Sequence, residues 1–459
     1  MLGNTAFKSV DKWADKLREA ALAIWEKPEL GFHEEIACKV TAELMREAGF
    51  AVEVGIAGIP TAIKATYGSG HPVIGFLGEF DALPGLSQVH APEKQAAVEG
   101  GAGHGCGHNL LGIATAGACI AAKEEMEERG LAGTLVFYGC PAEEIVVGKG
   151  YMAKGGAFDG IDLSVSYHPG DNNSVSIGTM TGVDQVKFAF HGRTAHAAGA
   201  PEQGRSALDA VELMNIGANY LREHVPMDVR MHYIITEGGK APNIVPDYAE
   251  NFYFVRAFTR EGISEVYDRL VKIAQGAALM TETELEVKYI GGCYPTLNNR
   301  VLADVMHEAL TEAPQPVWTE EDIAYAKKIN EARPELREAA IRRMGLAADA
   351  EIYTGVAPLT VENGYGSTDV GDVQHIAPGI FFSTATQALG ASGHSWQVTA
   401  CSGSEMGIKG MLYASRAMAL FALKICDKPE IAKLAKEEFD RVTGGKAYIC
   451  PVRDVPLPL

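Results

Sequence analysis

No apolar run in this sequence approaches the roughly 20 residues that a membrane-spanning helix needs. The N-terminal stretch MLGNTAFKSVDKWADK also lacks an apolar signal core. A soluble, cytoplasmic protein is therefore expected. Internal repeats and low-complexity tracts are absent too. Basic side chains are in short supply: 40 Lys and Arg stand against 59 Asp and Glu, a net charge of −19. That excess repels phosphate backbones, so nucleic acid is not an expected partner, although a local pocket can still oppose the global sign. A disulfide framework is missing as well. The eight cysteines, at 38, 106, 119, 140, 293, 401, 426 and 450, follow no framework spacing, and in a long chain without a secretory signal they read as reduced thiols. What remains is an ordinary globular balance, 47% hydrophobic and 22% charged over 459 residues, enough chain for two or three domains.

The densest chemistry lies in Gly103-His104-Gly105-Cys106-Gly107-His108-Asn109, a thiol and two imidazoles within five positions. An apolar segment, Val73–Leu77, precedes it and runs into Glu79 and Asp81; a small-residue, helix-like segment, Leu110–Met126, follows. Cys106 and His108 thus sit at a loop-to-helix junction, where both can turn toward one cation. Thiolate and imidazole suit zinc and other first-row metals, not magnesium or calcium. Taken alone, the pattern is outweighed by the commoner case of a cysteine buried as a small core hydrophobe.

The rest of the chain adds weight. Short apolar runs bounded by turn residues read as strands buried on both faces. Val73–Leu77 leads to Asp81, Thr134–Tyr138 to Glu143 and Glu144, Ile161–Tyr167 to His168, and Gly379–Ser383 to the loop that carries His394. In open α/β sheets, sites form outside the carboxyl ends of the strands. Asp81, Cys106, His108, Glu143, Glu144, His168 and His394 are therefore expected on one rim. Each has an ordinary reading by itself: a solvated helix start for the Glu pair, a turn residue for His168, a loop histidine for His394. So many coincidences at strand ends favour a metal site.

Residues Asp184–Ile290 differ in kind. Alternating apolar positions mark strands near 186–190, 229–235, 252–254 and 285–289, and helical spacing marks 207–221 and 263–277. The order β-α-β-β-α-β is the ferredoxin-like pattern. The expected organisation is a catalytic domain formed by residues 1–184 and 292–459, with residues 185–291 inserted as a lid or dimerisation domain. Helices are expected over Val10–Trp25, Glu34–Ala48, Met411–Lys424 and Glu430–Arg441, a charged helical elaboration with a break at Pro334 over Thr319–Ala350, and an extended Pro-rich tail over Ile449–Leu459.

GEFDALPGLSQ at Gly78–Gln88, GHGCGHNLLG at Gly103–Gly112, GRSALDAV at Gly204–Val211, STDVGDV at Ser367–Val373 and HSWQ at His394–Gln397 carry a resemblance that runs over essentially the whole chain. It is to the dinuclear metallohydrolases that include carboxypeptidase G, aminoacylases, hippurate hydrolase and plant auxin-conjugate amidohydrolases. The resemblance implies an α/β fold, a mixed sheet flanked by helices with an inserted ferredoxin-like lid. It implies two divalent metal ions, zinc or manganese, held by Cys106, His108, Glu144, His168 and His394, with Glu143 as general base and Asp81 orienting the site. His196 matches a lid histidine that crosses a dimer to polarise the substrate carbonyl, and Asn243 a lid asparagine that contacts substrate.

The implied reaction is hydrolysis of the amide bond of an N-acyl or N-aroyl amino acid of aminobenzoyl-glutamate type, in a homodimer or with a related second subunit. A dipeptidase, a non-catalytic partner protein and another N-acyl-amino-acid amidohydrolase are the alternatives; an intact Glu143 argues against the non-catalytic one. Asn243, Arg256 and Arg300 are the candidates for holding a substrate carboxylate, a structural salt bridge being the more common role for each arginine. Two positions depart from the family pattern. Thr368 replaces the Glu of Ser-Glu-Asp, and Asn109 replaces the Asp that usually closes Cys-Gly-His, removing a charge beside the metals.

Overall fold

The computed structural model describes residues 2–452 and 454–458. The chain opens with α1 (Asn4–Glu26), α2 (Glu35–Glu47), β1 (Ala51–Val54), β2 (Ile63–Ser69) and β3 (Val73–Glu79). Then come α3 (His108–Arg129), β4 (Gly133–Cys140), α4 (Gly148–Lys154), β5 (Leu163–Gly170) and β6 (Ser174–Val175). A second unit follows, formed by β7 (Gly182–His191), α5 (Ala207–Leu221), β8 (Arg230–Glu237), β9 (Tyr248–Ala257), α6 (Arg260–Thr281) and β10 (Glu284–Cys293). The chain then returns to the first unit through α7 (Arg300–Glu312), α8 (Glu320–Glu331), α9 (Pro334–Met344), α10 (Val370–Gln374), β11 (Gly379–Ala385), α11 (Trp396–Ser402), α12 (Glu405–Asp427) and α13 (Glu430–Thr443).

The first unit is a seven-stranded sheet in the order β1-β2-β4-β3-β5-β11-β6. Strands β4, β3, β5 and β11 run parallel, and antiparallel partners close both edges. β4 is buried from Gly133 to Cys140, as a strand covered on both faces must be. Every residue of α3 from His108 to Ala122 is buried, which explains its run of small side chains. A Cβ at Gly112 would lie 2.6 Å from the Glu79 carbonyl oxygen, so only glycine lets the helix press this closely on β3. The parallel central strands bring their carboxyl ends to one rim: Glu79 is level with Cys140, and His168 with Ser383.

The second unit is a four-stranded antiparallel sheet, β10-β7-β9-β8. Helices α5 and α6 cover one face through Val186, Phe188, Tyr253, Met214 and Leu270. The other face turns toward the first unit: Val183 and Phe254 pack with Val146, and Gln185 Nε2 donates to the Ile145 carbonyl at 2.7 Å. The fold is thus the expected metallopeptidase-type α/β architecture with an inserted ferredoxin-like lid.

Several details differ from the sequence reading. Helix α1 begins at Asn4 rather than Val10, because the buried Glu125 carboxylate accepts from the Gly3 and Ala6 N–H groups, a tertiary cap with no local signal. β5 begins at Leu163 and continues to Gly170, so His168 lies within the strand, which pairs with β11 to its end. β1 is largely exposed and β6 is only two residues long, so neither has a readable apolar pattern. The tail is not simply extended: Val452 is buried, and Lys154 Nζ and Tyr151 OH hold the carbonyls of Val455 and Pro456 at 2.8 and 2.9 Å. Arg453 and Leu459 of that tail lie outside the described residues.

Candidate metal centre

The site is built on Asp81, two residues past the end of β3. It is buried, and its Oδ1 is 3.0 Å from His108 Nδ1 while its Oδ2 accepts from the Glu144 N–H at 2.8 Å. Gly107, at φ 75°, caps α3 in the left-handed conformation, which L side chains rarely adopt. Together they aim the other His108 nitrogen inward. Among the described residues, His108 Nε2 is buried without a hydrogen-bond partner, and so is Glu144 Oε1. Around His108 Nε2 stand Glu79 Oε2 at 3.5 Å, Glu143 Oε2 at 3.8 Å and Glu144 Oε1 at 4.0 Å. Cys106 Sγ is 3.3 Å from His168 Nε2, and His394 Nε2 is 3.6 Å from Glu144 Oε2.

The donor atoms of Cys106, His108 and His168 all lie within 4.8 Å of one another, as do those of Cys106, Glu144 and His394. The two groups share Cys106. Orphaned buried donors in a mixed S, N and O set suit a divalent transition metal, so the residues fit the cation that the sequence implied.

The turn carrying the Glu pair is held under constraint. Ala142 and Val146 flank it at φ 58° and 56°, a region costly for non-glycine residues. Glu34 braces it from below, accepting from the Ala142 and Phe32 N–H groups at 2.8 and 3.0 Å and from Thr61 Oγ1 at 2.9 Å. Burial pushes Glu34 up to about 7, and the Asp81 charge adds to it.

The local electrostatics favour a cation. Burial raises Glu143 well above the usual carboxylate range, and Glu79 pushes the same way. Burial lifts Glu144 to about 7 against the opposing pull of His108, and lifts the Cys106 thiol to about 12. Burial, then His108, brings His168 down to about 4. Lys149 contacts only Glu79 and Asp369 of the anionic groups gathered here, so Glu143, Glu144 and Cys106 face one another at a cost that a bound cation would remove.

Not every residue singled out in the sequence joins the cluster. His104, the second imidazole of the motif, faces α1, with Nε2 3.3 Å from the Ile24 carbonyl. Asn109 is a strut rather than a neighbour of the donors: its Nδ2 bonds the carbonyls of Ala21 and Ser402 at 3.2 and 3.0 Å. His196 and Asn243 are exposed on adjoining segments of the lid, where His196 Nδ1 accepts from the Ala198 and Gly199 N–H groups at 3.2 and 3.0 Å. Arg300 pairs with Asp304 at 3.0 Å on the surface of α7. Arg256 behaves differently: its Nη1 donates to Ser367 Oγ at 2.7 Å, and among the described residues it has no carboxylate partner.

Glu34 escaped the sequence reading, and so did a buried lysine. Lys149 is fully buried and its Nζ lies 2.5 Å from both Glu79 Oε1 and Asp369 Oδ1. Its own N–H donates to Asp369 Oδ2 at 2.8 Å. Burial opposes its charge, but Asp369 and Glu79 hold it well above the usual lysine range. A lysine inside Gly148-Lys149-Gly150 carries no pattern that marks it as buried; only the packing of α10, whose N-cap is Asp369, against α4 brings the two together.

With this geometry in hand, residues 75–395 match the model of peptidase family M20/M25/M40. The chain belongs to that family. Among its relatives, one of the subunits of Escherichia coli p-aminobenzoyl-glutamate hydrolase is 38% identical over 96% of this chain and 95% of that protein. Human Xaa-Arg dipeptidase is 29% identical over 94% of this chain and 90% of the dipeptidase. A solved structure of a dinuclear metal-binding M20 peptidase from Bacillus subtilis superposes with a TM-score of 0.60 at 20% identity, covering 91% of this chain and 99% of that one. The chain is an M20 hydrolase, and its sheet and lid are those of that family.

Proposed function

We propose that this M20 chain hydrolyses the amide bond of N-acyl or N-aroyl amino acids, with an aminobenzoyl-glutamate-like substrate preferred. The observation that carries the reading is Glu143, a buried carboxylate 3.8 Å from His108 Nε2, beside the clustered donors of Cys106, His108, Glu144, His168 and His394. A binding module has no need of such a base. Two divalent cations, zinc or manganese, would be held by Cys106, His108, Glu144, His168 and His394. When bound they would polarise the scissile carbonyl and lower the pKa of the attacking water toward roughly 7. Glu143 takes the proton from that water and delivers it to the leaving nitrogen. Asp81 fixes the tautomer and orientation of His108 through Nδ1. Arg256, without a carboxylate of its own, anchors the α-carboxylate of the amino acid.

The lid completes the site from a second copy. Ile234 and Ile235 on the edge strand β8, and Ile216 and Tyr220 one turn apart on α5, are exposed apolar side chains. An edge strand beside a helix face suits an isologous homodimer contact, which would carry His196 and Asn243 into the partner's site. A related second protein is the alternative partner, since the Escherichia coli relative is itself named as a subunit. No helix of the described residues is long and apolar enough to cross a membrane, and a cytoplasmic location is part of the proposal.

A dipeptidase is the second reading, favoured by the similarity to Xaa-Arg dipeptidase over most of the chain. The test is turnover of the metal-loaded protein on a matched panel of aminobenzoyl-amino acids, acetyl-amino acids and dipeptides. Preferential release of the aromatic acid supports the proposal; exclusive cleavage of dipeptides carrying a free α-amine replaces it with the second reading.

A further inference from the structure

The rim of the large sheet is acidic, whereas the lid face above it is cationic. On β9, Val255 and Ala257 point into the lid core while Arg256 takes the open face; on β8, Met231 belongs to the core and Arg230 and His232 take the open face. Arg230 and Arg256 are direct cross-strand partners, which places their Cβ atoms about 5 Å apart. Among the described residues neither has a carboxylate partner. Arg230 spends one nitrogen on its own turn, with Nη1 2.6 and 2.9 Å from the Met227 and Val229 carbonyls, and its guanidinium lies 4.4 Å from the centre of the Tyr365 ring. The adjacent Asp228 is engaged elsewhere, accepting from the Phe258 N–H at 3.3 Å. His232 is held below its usual range by burial and by Arg256, Arg222 and Arg230.

In a chain with a net charge of −19, two neighbouring unpaired arginines are conspicuous, since arginine is the side chain suited to gripping carboxylates. Their place in the fold matters as much. Arg256 donates to Ser367, two residues before the Asp369 that holds Lys149. The same open face packs Val183 and Phe254 against Val146, in the turn that carries Glu143 and Glu144. The pair therefore borders the chemistry within one chain.

We infer that Arg230 forms a second carboxylate subsite beside Arg256, so that the enzyme selects amides whose amine product is a dicarboxylic amino acid. The inference rests on the proposed hydrolase reading and deepens it. One arginine holds the α-carboxylate and the other the side-chain carboxylate; their cross-strand spacing suits two acids on one short molecule. Arg230 acts on specificity and takes no part in bond cleavage.

The experiment compares kcat and KM of the metal-loaded full-length protein on aminobenzoyl-glutamate and aminobenzoyl-glutamine, in wild type, Arg230→Gln and Arg230→Lys. A charge-assisted contact gives the wild type a glutamate preference of about 10- to 100-fold in kcat/KM. Arg230→Gln moves that ratio toward one, mainly through KM on the glutamate substrate, and Arg230→Lys restores part of it. Because the ratio is read within each protein, general loss of folded enzyme does not move it. A wild type with no preference, or an Arg230→Gln enzyme that loses the same factor on both substrates, overturns the subsite. A calorimetric arm measures binding of L-glutamate and L-glutamine to the same proteins. If turnover is absent but Arg230 still confers tighter glutamate binding, the subsite stands and the hydrolase reading falls. If glutamate binds no tighter than glutamine, the subsite falls whatever the turnover.

Discussion

The catalytic rim and the lid handle their polar residues in opposite ways. On the rim most functional groups are wholly or partly buried, with His394 the exposed exception, and several are held by a second residue of the same chain: His108 by Asp81, Glu144 by the other oxygen of Asp81, the Glu turn by Glu34, Glu79 by Lys149. On the lid, His196 and Asn243 are exposed and, among the described residues, bonded to their own loop and its neighbour. The difference teaches where each part gets its precision. Buried charge is expensive unless paired, so the rim must be assembled by one chain during folding. An exposed lid residue carries no such cost and can wait for a partner or a substrate to order it.

The contrast is broken most severely at the donor that both groups share. Cys106→Ala removes it from each, and metal content measured by elemental analysis should fall together with activity to background; full occupancy with normal turnover would dissolve the assignment. Glu143→Gln separates binding from chemistry on the same rim. The variant should keep its metal and its fold while kcat drops by about 10²–10⁴ or more, because the amide cannot accept the proton. Near-normal turnover would move the base elsewhere.

Lys149→Met tests the bracing. It strands Glu79 and Asp369 as buried carboxylates, and loss of one partner from a buried ion pair costs about 3–5 kcal/mol. Denaturant unfolding at neutral pH should register that loss, and a variant as stable as wild type would show the ion cluster to be dispensable.

The lid side of the comparison is sharpened by mixing two inactive proteins, His196→Ala and Glu143→Gln, after dissociation and reassociation. If His196 serves the partner's site, each mixed dimer regains one complete site, and random assortment gives about a quarter of wild-type activity. No recovery despite proven subunit exchange would confine His196 to its own chain.

The smallest effect lies where rim and lid meet. Asp372 is buried and accepts from Tyr448 OH at 2.7 Å, and its other oxygen has no hydrogen-bond partner among the described residues. Burial pushes it up to about 8, so the folded state holds its proton more tightly than the unfolded chain. Its contribution to stability is complete below the ordinary carboxylate range and is lost as pH rises through about 8. Wild-type Tm should therefore decline from roughly pH 4 to 8, and Asp372→Asn should flatten that decline in a melting series. Parallel curves for the two proteins would remove Asp372 as the cause.

Much of the fold was legible because the periodicities are strong. The apolar runs at 73–77, 134–138 and 379–383 became parallel strands of the large sheet, and the β-α-β-β-α-β order became the lid. The clustering of Cys106, His108, Glu144, His168 and His394 was legible because they stand at or beyond the carboxyl ends of buried strands, His168 inside the end of β5, and because Cys106-Gly107-His108 lies at a helix start. Lys149, Glu34 and Arg230 were not. A lysine between glycines, a glutamate before a helix and an arginine on an edge strand are all, locally, surface residues.

By itself the sequence determined which residue types stand at which strand ends, since period and residue type are properties of the chain read along its length. Only the tertiary structure decided which of them meet. His104 and His108 are four positions apart, yet one turns to α1 and the other to the cluster, because the left-handed Gly107 and the start of α3 intervene. Asp369 and Lys149 are 220 positions apart and share a proton-bearing contact. Pairing of that kind is set by which distant helices pack together, here α4 and α10, and by the cost of leaving a charge unpartnered in a dry interior, and neither quantity is written in the local sequence.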